Sequence, residues 1–129
     1  MNNPFIHLRS LSSYSLSEST LKITNLVDLA KKNDMPAIAI TDNNNMFGVF
    51  EFSKECVKNN IQPIIGTSIN LLDIIVNNQI SQVTFLVKNE IGYRNLLELS
   101  SLSHINEEKN VGIYFSQLER FSDGLFCYI

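Results

Sequence analysis

Pro36-Ala37-Ile38-Ala39-Ile40-Thr41-Asp42 is a run of small apolar residues that opens on a proline and closes on a carboxylate. It is apolar at consecutive positions rather than at every second one. That suits a strand buried on both faces, as in a parallel sheet. An α/β fold follows, and the neighbouring segments can be placed from this strand outward. Upstream, Asn33-Asp34 stops a helix over 24–33, capped by Thr24, with Leu26, Val27 and Ala30 on one face. Residues 10–20 are hydroxyl-rich and read as a loop or turn, and Phe5-Ile6-His7-Leu8 reads as a short first strand. Downstream, 42–45 is a tight polar loop. Asn45 is placed to cap a helix reaching Asn59, with Val49, Phe52 and Cys56 at helical spacing.

A third strand starts at Pro63-Ile64-Ile65 and runs toward Leu72. Asn77-Asn78 suits a turn, because asparagine tolerates positive φ, and Val83-Thr84-Phe85-Leu86-Val87 should return antiparallel. Helices are expected over 92–103 and 115–120, a polar loop over 106–110, and a last strand over 125–129. The order β-α-β-α-β-β-α-β predicts a mostly parallel sheet with helices outside. Closed βα barrels take about 250 residues, so residues 1–129 read as one domain holding part of a barrel. Such a part is expected to leave a strand edge and an apolar sheet face exposed.

The 129 residues are 44% hydrophobic and 18% charged, with a net charge of −3 and mean hydropathy of +0.02. This excludes general disorder, a membrane-spanning run and a phosphate-attracting basic surface. The N-terminus carries no leader pattern. Cys56 and Cys127 show no motif spacing and read as two buried thiols.

In α/β folds chemistry gathers at the C-terminal ends of strands, here 7–12, 41–45 and 66–70. Asp42 is the leading candidate, as a metal ligand or base on one reading and as a helix cap or Asx-turn on the other. His7 reads as a hydrogen-bonded core histidine and His104, near Glu107 and Glu108, as a helix end. The serines at 10, 12, 13, 15 and 17 lack a nucleophile elbow and read as a hydroxyl-rich turn. No phosphate loop is present.

At these strand ends the chain resembles a known family. Residues 5–16, Met35-Pro36-Ala37-Ile38-Ala39-Ile40-Thr41-Asp42, Asn45-Met46-Phe47-Gly48, Ile61-Gln62-Pro63-Ile64-Ile65-Gly66, Val83–Val87 and Gly92-Tyr93-Arg94-Asn95-Leu96 carry the likeness. Together they are similar to the PHP (polymerase and histidinol phosphatase) domain that opens the alpha subunit of bacterial DNA polymerase III. The resemblance implies the N-terminal part of a distorted, TIM-like PHP barrel and a truncated portion of a longer, cytoplasmic polymerase subunit.

It also implies where metal ligands would stand. Active members place a His-x-His pair where this chain has Arg9 and Leu11, and Asp-His where it has Asp42 and Asn43. An acidic residue corresponds to Ser68 and a histidine to Gln82. Only Asp42 is kept; His7 matches a family histidine that precedes the ligand pair. A metal-free segment without cofactor or catalytic residue is expected. Arg9 and Asp42 are expected to form a buried ion pair in the old site. The implied role is structural: a platform for the remaining domains of the subunit and for the separate proofreading exonuclease (epsilon). DNA would be handled by later domains only, and no membrane is involved. The alternatives are a metal-dependent phosphoesterase or 3′–5′ exonuclease, and a free-standing decayed remnant.

Overall fold

The computed structural model describes residues 5–15, 21–106 and 110–128. Parts of the two polar loops expected over 10–20 and 106–110, the four N-terminal residues and residue 129 lie outside the described residues. A 3-10 turn, Ser13–Ser15, leads into α1 (Ile23–Lys32), β1 (Ala37–Ile40) and α2 (Val49–Lys58). Then come β2 (Gln62–Val76), β3 (Gln79–Val87), α3 (Glu90–Ile105), α4 (Phe115–Arg120) and β4 (Leu125–Tyr128). Among the described residues no helix is long and apolar enough to cross a membrane.

The sheet order is β1-β2-β3-β4. β1 pairs parallel with β2, but β2 pairs antiparallel with β3 and β3 antiparallel with β4. The expectation of a mostly parallel sheet is therefore corrected to a mixed one. The apolar run at 37–40 does report its own parallel pairing, and all four of its residues are buried. Strand direction farther on is set by the connections. Asn77 and Asn78, at φ 51° and 63°, make a two-residue reversal between β2 and β3. The path through α3 and α4 then returns the chain from the far side.

Period-two alternation splits the sheet into two unlike faces. The paired positions place Ile38, Ile40, Ile65, Ile69, Leu71, Val83 and Phe85 on one face. The helices cover it. Ile38 and Ile40 pack with Leu26, Val27 and Phe52, while Ile69 and Phe85 pack with Leu96, Leu99 and Ile113. Met46 touches both clusters. The face expected to stand open is thus covered where these residues lie. The other face mixes small and polar residues, Ala39, Gly66, Ser68, Asn70, Gln82, Thr84 and Tyr128, with the apolar Ile64, Leu86 and Phe126, of which Phe126 is exposed. The sheet curls across it: the Tyr128 hydroxyl in β4 donates to the Leu8 carbonyl before β1.

Local details depart from the sequence expectations for identifiable reasons. Residues 5–8 are not a regular strand. The chain from His7 to Ser10 flanks β1 through the Ala39 and Thr41 N–H groups, which donate to the His7 and Ser10 carbonyls at 3.0 and 2.9 Å, and through the Ser10 N–H, which donates to the Thr41 hydroxyl at 3.1 Å. Helix α1 starts after Lys22, and Thr24 does not cap it. Helix α2 starts after Gly48, because the Asn45 side chain closes an Asx-turn by accepting from the Phe47 N–H at 3.1 Å. The α3 cap is Asn89, whose side chain accepts from the Gly92 N–H at 3.0 Å. Helix α4 spans the residues expected. Cys56 is buried in the first cluster, but Cys127 is exposed on β4, so only one of the two thiols is interior.

Candidate functional site

Five of the six positions implied by the resemblance come together, and Leu11 alone faces elsewhere. Asp42 is 2% exposed just past β1, and its carboxylate is fully engaged. Oδ1 accepts from the Ser12 N–H at 2.6 Å and from the Ser15 hydroxyl at 2.7 Å, and Oδ2 accepts from the Ser12 hydroxyl at 2.6 Å. These are short, charge-assisted bonds. Each serine is also an acceptor: Ser12 Oγ from the Tyr14 N–H and Ser15 Oγ from the Asn43 N–H. The Asp42 carbonyl accepts from the Thr67 hydroxyl at 2.7 Å and from the Ser68 N–H at 3.0 Å, fixing the loop to β2.

Asn43 forms a parallel bridge with Ser68. The buried Ser68 hydroxyl lies 2.8 Å from that of Thr84. Gln82 Nε2 donates to Asn43 Oδ1 at 3.3 Å, while Gln82 Oε1 accepts from Arg9 Nη2 at 3.2 Å. Arg9, Asp42, Asn43, Ser68 and Gln82 therefore belong to one connected polar patch. Leu11 lines a cleft of about 310 Å³ with Leu21, Leu26 and Ala30 beside α1. Burial raises the Tyr128 hydroxyl above its usual range, with Arg9 and Thr84 acting in the opposite direction.

The expected Arg9–Asp42 ion pair is not formed. Among the described residues the one ion pair is Arg94–Glu90 on the surface of α3. Arg9 is exposed and reaches Gln82, while the serine turn supplies three donors to Asp42. Neutral donors brought in from Ser12 and Ser15 stabilise the buried carboxylate without desolvating a guanidinium. His7 is likewise no core histidine: it is exposed, edge-on to the Phe5 ring at 4.6 Å. His104 sits in the last turn of α3 as expected, with Nε2 2.8 Å from the Asn44 carbonyl oxygen.

Sequence reasoning missed the roles of Ser12 and Ser15. Their signal was the three-residue spacing, which in a 3-10 turn aligns two side chains on one side. Thr67, Asn70, Thr84 and Tyr128 carried no local signal, because strand pairing alone brings them to the patch.

Chemically the patch is a poor ligand set. Among the described residues no three His, Cys, Asp or Glu side chains are grouped to hold a metal ion. Arg9 and the Gln82 amide present cationic or neutral groups, and both Asp42 oxygens are occupied by donors. The residues present do not fit a multinuclear metal centre. No histidine is bonded to a serine here to activate it. Cys56 is no nucleophile either, since burial, with Glu55 adding to it, pushes its thiol up to about 12.

A family model described as PHP domain matches residues 7–129. The chain belongs to the PHP domain family. Two relatives of this PHP domain share a name. It is 42% identical over 136 residues to the DNA polymerase III subunit alpha of Rickettsia conorii, covering 99% of this chain and 11% of that protein. It is 36% identical over 137 residues to the same subunit of Borreliella burgdorferi, covering 95% of this chain and 12% of that one. The PHP domain here thus spans only about a tenth of the length of the curated relatives it matches. Among solved structures, an amidohydrolase from Chromobacterium violaceum, with bound sulfate and no metal, superposes at a TM-score of 0.56. Identity is 16%, covering 76% of this chain and 32% of that one, a likeness of fold alone.

Proposed function

We propose that this PHP domain is a segment of a DNA polymerase III alpha subunit and serves there as a metal-free structural and docking element. The identity to named alpha subunits along nearly the whole chain supports the first half of that reading. The second half rests on one observation: every implied metal position except Asp42 holds a residue unable to ligate a zinc-like ion well, and Asp42 itself already accepts three short hydrogen bonds. Nucleotidyl transfer to DNA then belongs to parts of the subunit beyond these 129 residues. The barrel to which this sheet would contribute is a PHP-type βα barrel. Its partners are the remaining domains of the subunit and the proofreading exonuclease, in the cytoplasm. With a net charge of −3, the segment is suited to protein contacts more than to the phosphate backbone.

Metal analysis tests this. After incubation with zinc or manganese and dialysis, the chain is expected to retain no stoichiometric metal and to show no hydrolysis of a chromogenic phosphomonoester. One or more equivalents retained by the wild type and lost in Asp42→Ala would replace this reading with a metal-dependent phosphoesterase.

A further inference from the structure

The mismatch between residues and metal leaves a question about Asp42. A carboxylate that is 2% exposed, with no ion pair and no metal to hold, would be costly unless it had another task. Its three donors all come from one short stretch, Ser12 to Ser15, 27 to 30 residues upstream. Other attachments of this stretch are single bonds to three separate places: the Ser13 N–H donates to the Leu21 carbonyl at 2.8 Å, the Asn45 side-chain amide donates to the Tyr14 carbonyl at 3.0 Å, and the Tyr14 hydroxyl donates to Glu51 Oε2 at 3.3 Å. Each serine hydroxyl passes the connection onward to a backbone N–H, of Tyr14 and of Asn43.

We infer that Asp42 is the anchor of a metal-independent clasp. Its carboxylate fastens the 10–15 segment to the end of β1, doing with hydrogen bonds what a bridging ion does between ligands on two segments. This rests on the metal-free reading above and goes beyond it, since an emptied site needs no clasp. The anionic carboxylate suits three donors, because a charged acceptor makes stronger bonds than a neutral amide. The turn supplies those donors in register, since 3-10 geometry aligns positions 12 and 15. Ser13, in the same turn but exposed, makes no such side-chain bond and serves as the internal control.

The test is hydrogen exchange of the backbone amides of residues 10–15 and 39–43 in the full chain, measured with and without about 1 mM zinc, on the order of a thousand times the dissociation constant of a micromolar site. Asp42→Ala and Ser12→Ala/Ser15→Ala are expected to speed exchange in the 10–15 segment by about tenfold or more, with Ser13→Ala unchanged and zinc without effect. The single Ser15→Ala variant, expected to show a smaller change in the same segment, stands in if the others fail to fold. Wild-type rates in all serine variants would overturn the clasp while leaving the metal-free reading intact. Zinc that slows exchange in the wild type but not in Asp42→Ala would overturn both.

Discussion

Strand β2 passes through two environments that could hardly differ more. From Gly66 to Ile69 it is buried at every position, one face against α3 and the other in the polar patch beneath Asp42. From Ile74 to Val76, past an irregularity in its pairing with β3, it stands in solvent, with Ile75 64% and Val76 58% exposed. The near half, Gly66-Thr67-Ser68-Ile69, is half polar and the far half, Ile74-Ile75-Val76, wholly apolar, and no charged residue occurs from Ile74 to Val87. Hydrophobicity alone would therefore bury the wrong half. The near half is covered because α3 packs across it and β4 extends the sheet beside β3. The far half projects beyond both. A charge-free exposed strip of this kind is the surface through which the isolated chain is expected to self-associate.

The comparison can be broken most severely at Ile69. Ile69→Ala removes a fully buried side chain packed among Phe85 and Leu96, and about 3 kcal/mol of stability is expected to go with it. Urea denaturation reads this as a lower midpoint at unchanged slope. Gly66→Ala comes next. A Cβ there would lie 2.2 Å from the Phe85 carbonyl oxygen, so β3 must shift, at a cost of about 2 kcal/mol. A loss under about 0.5 kcal/mol would mean that β2 and β3 separate more easily than their register implies. The smallest effect belongs to the far half. Ile75→Lys is expected to change stability by less than about 0.5 kcal/mol while lowering the sedimentation-average mass of the isolated chain. If Ile75→Lys instead unfolded the protein, the two halves of β2 would not be distinct.

Much of the fold was legible because local chemistry encodes it. The two asparagines at 77–78 announced their turn through tolerance of positive φ. Leu26, Val27 and Ala30 announced the buried face of α1 by period, and residues 37–40 announced a doubly buried strand. Strand direction was illegible past β2. A strand's own residues state how many of its faces are covered but not which neighbour it lies beside or which way that neighbour runs. The site was half legible in the same sense. Residue types at 9, 11, 42, 43, 68 and 82 are read from the sequence directly, and the metal-free proposal starts from them. The pairing among those residues, Arg9 with Gln82 instead of Asp42, was not written in them.

The sequence by itself determined which ligand types stand at these positions, because ligand chemistry belongs to individual side chains: leucine offers none, and serine and amides are weaker ligands than imidazole and carboxylate. Only the tertiary structure decided what the pocket does with its one remaining carboxylate. Ser12 and Ser15 reach Asp42 first, across some thirty residues of chain, because a 3-10 turn aligns their hydroxyls and the end of β1 delivers Asp42 to them. Such a match depends on through-space distance and orientation, which residue order does not specify.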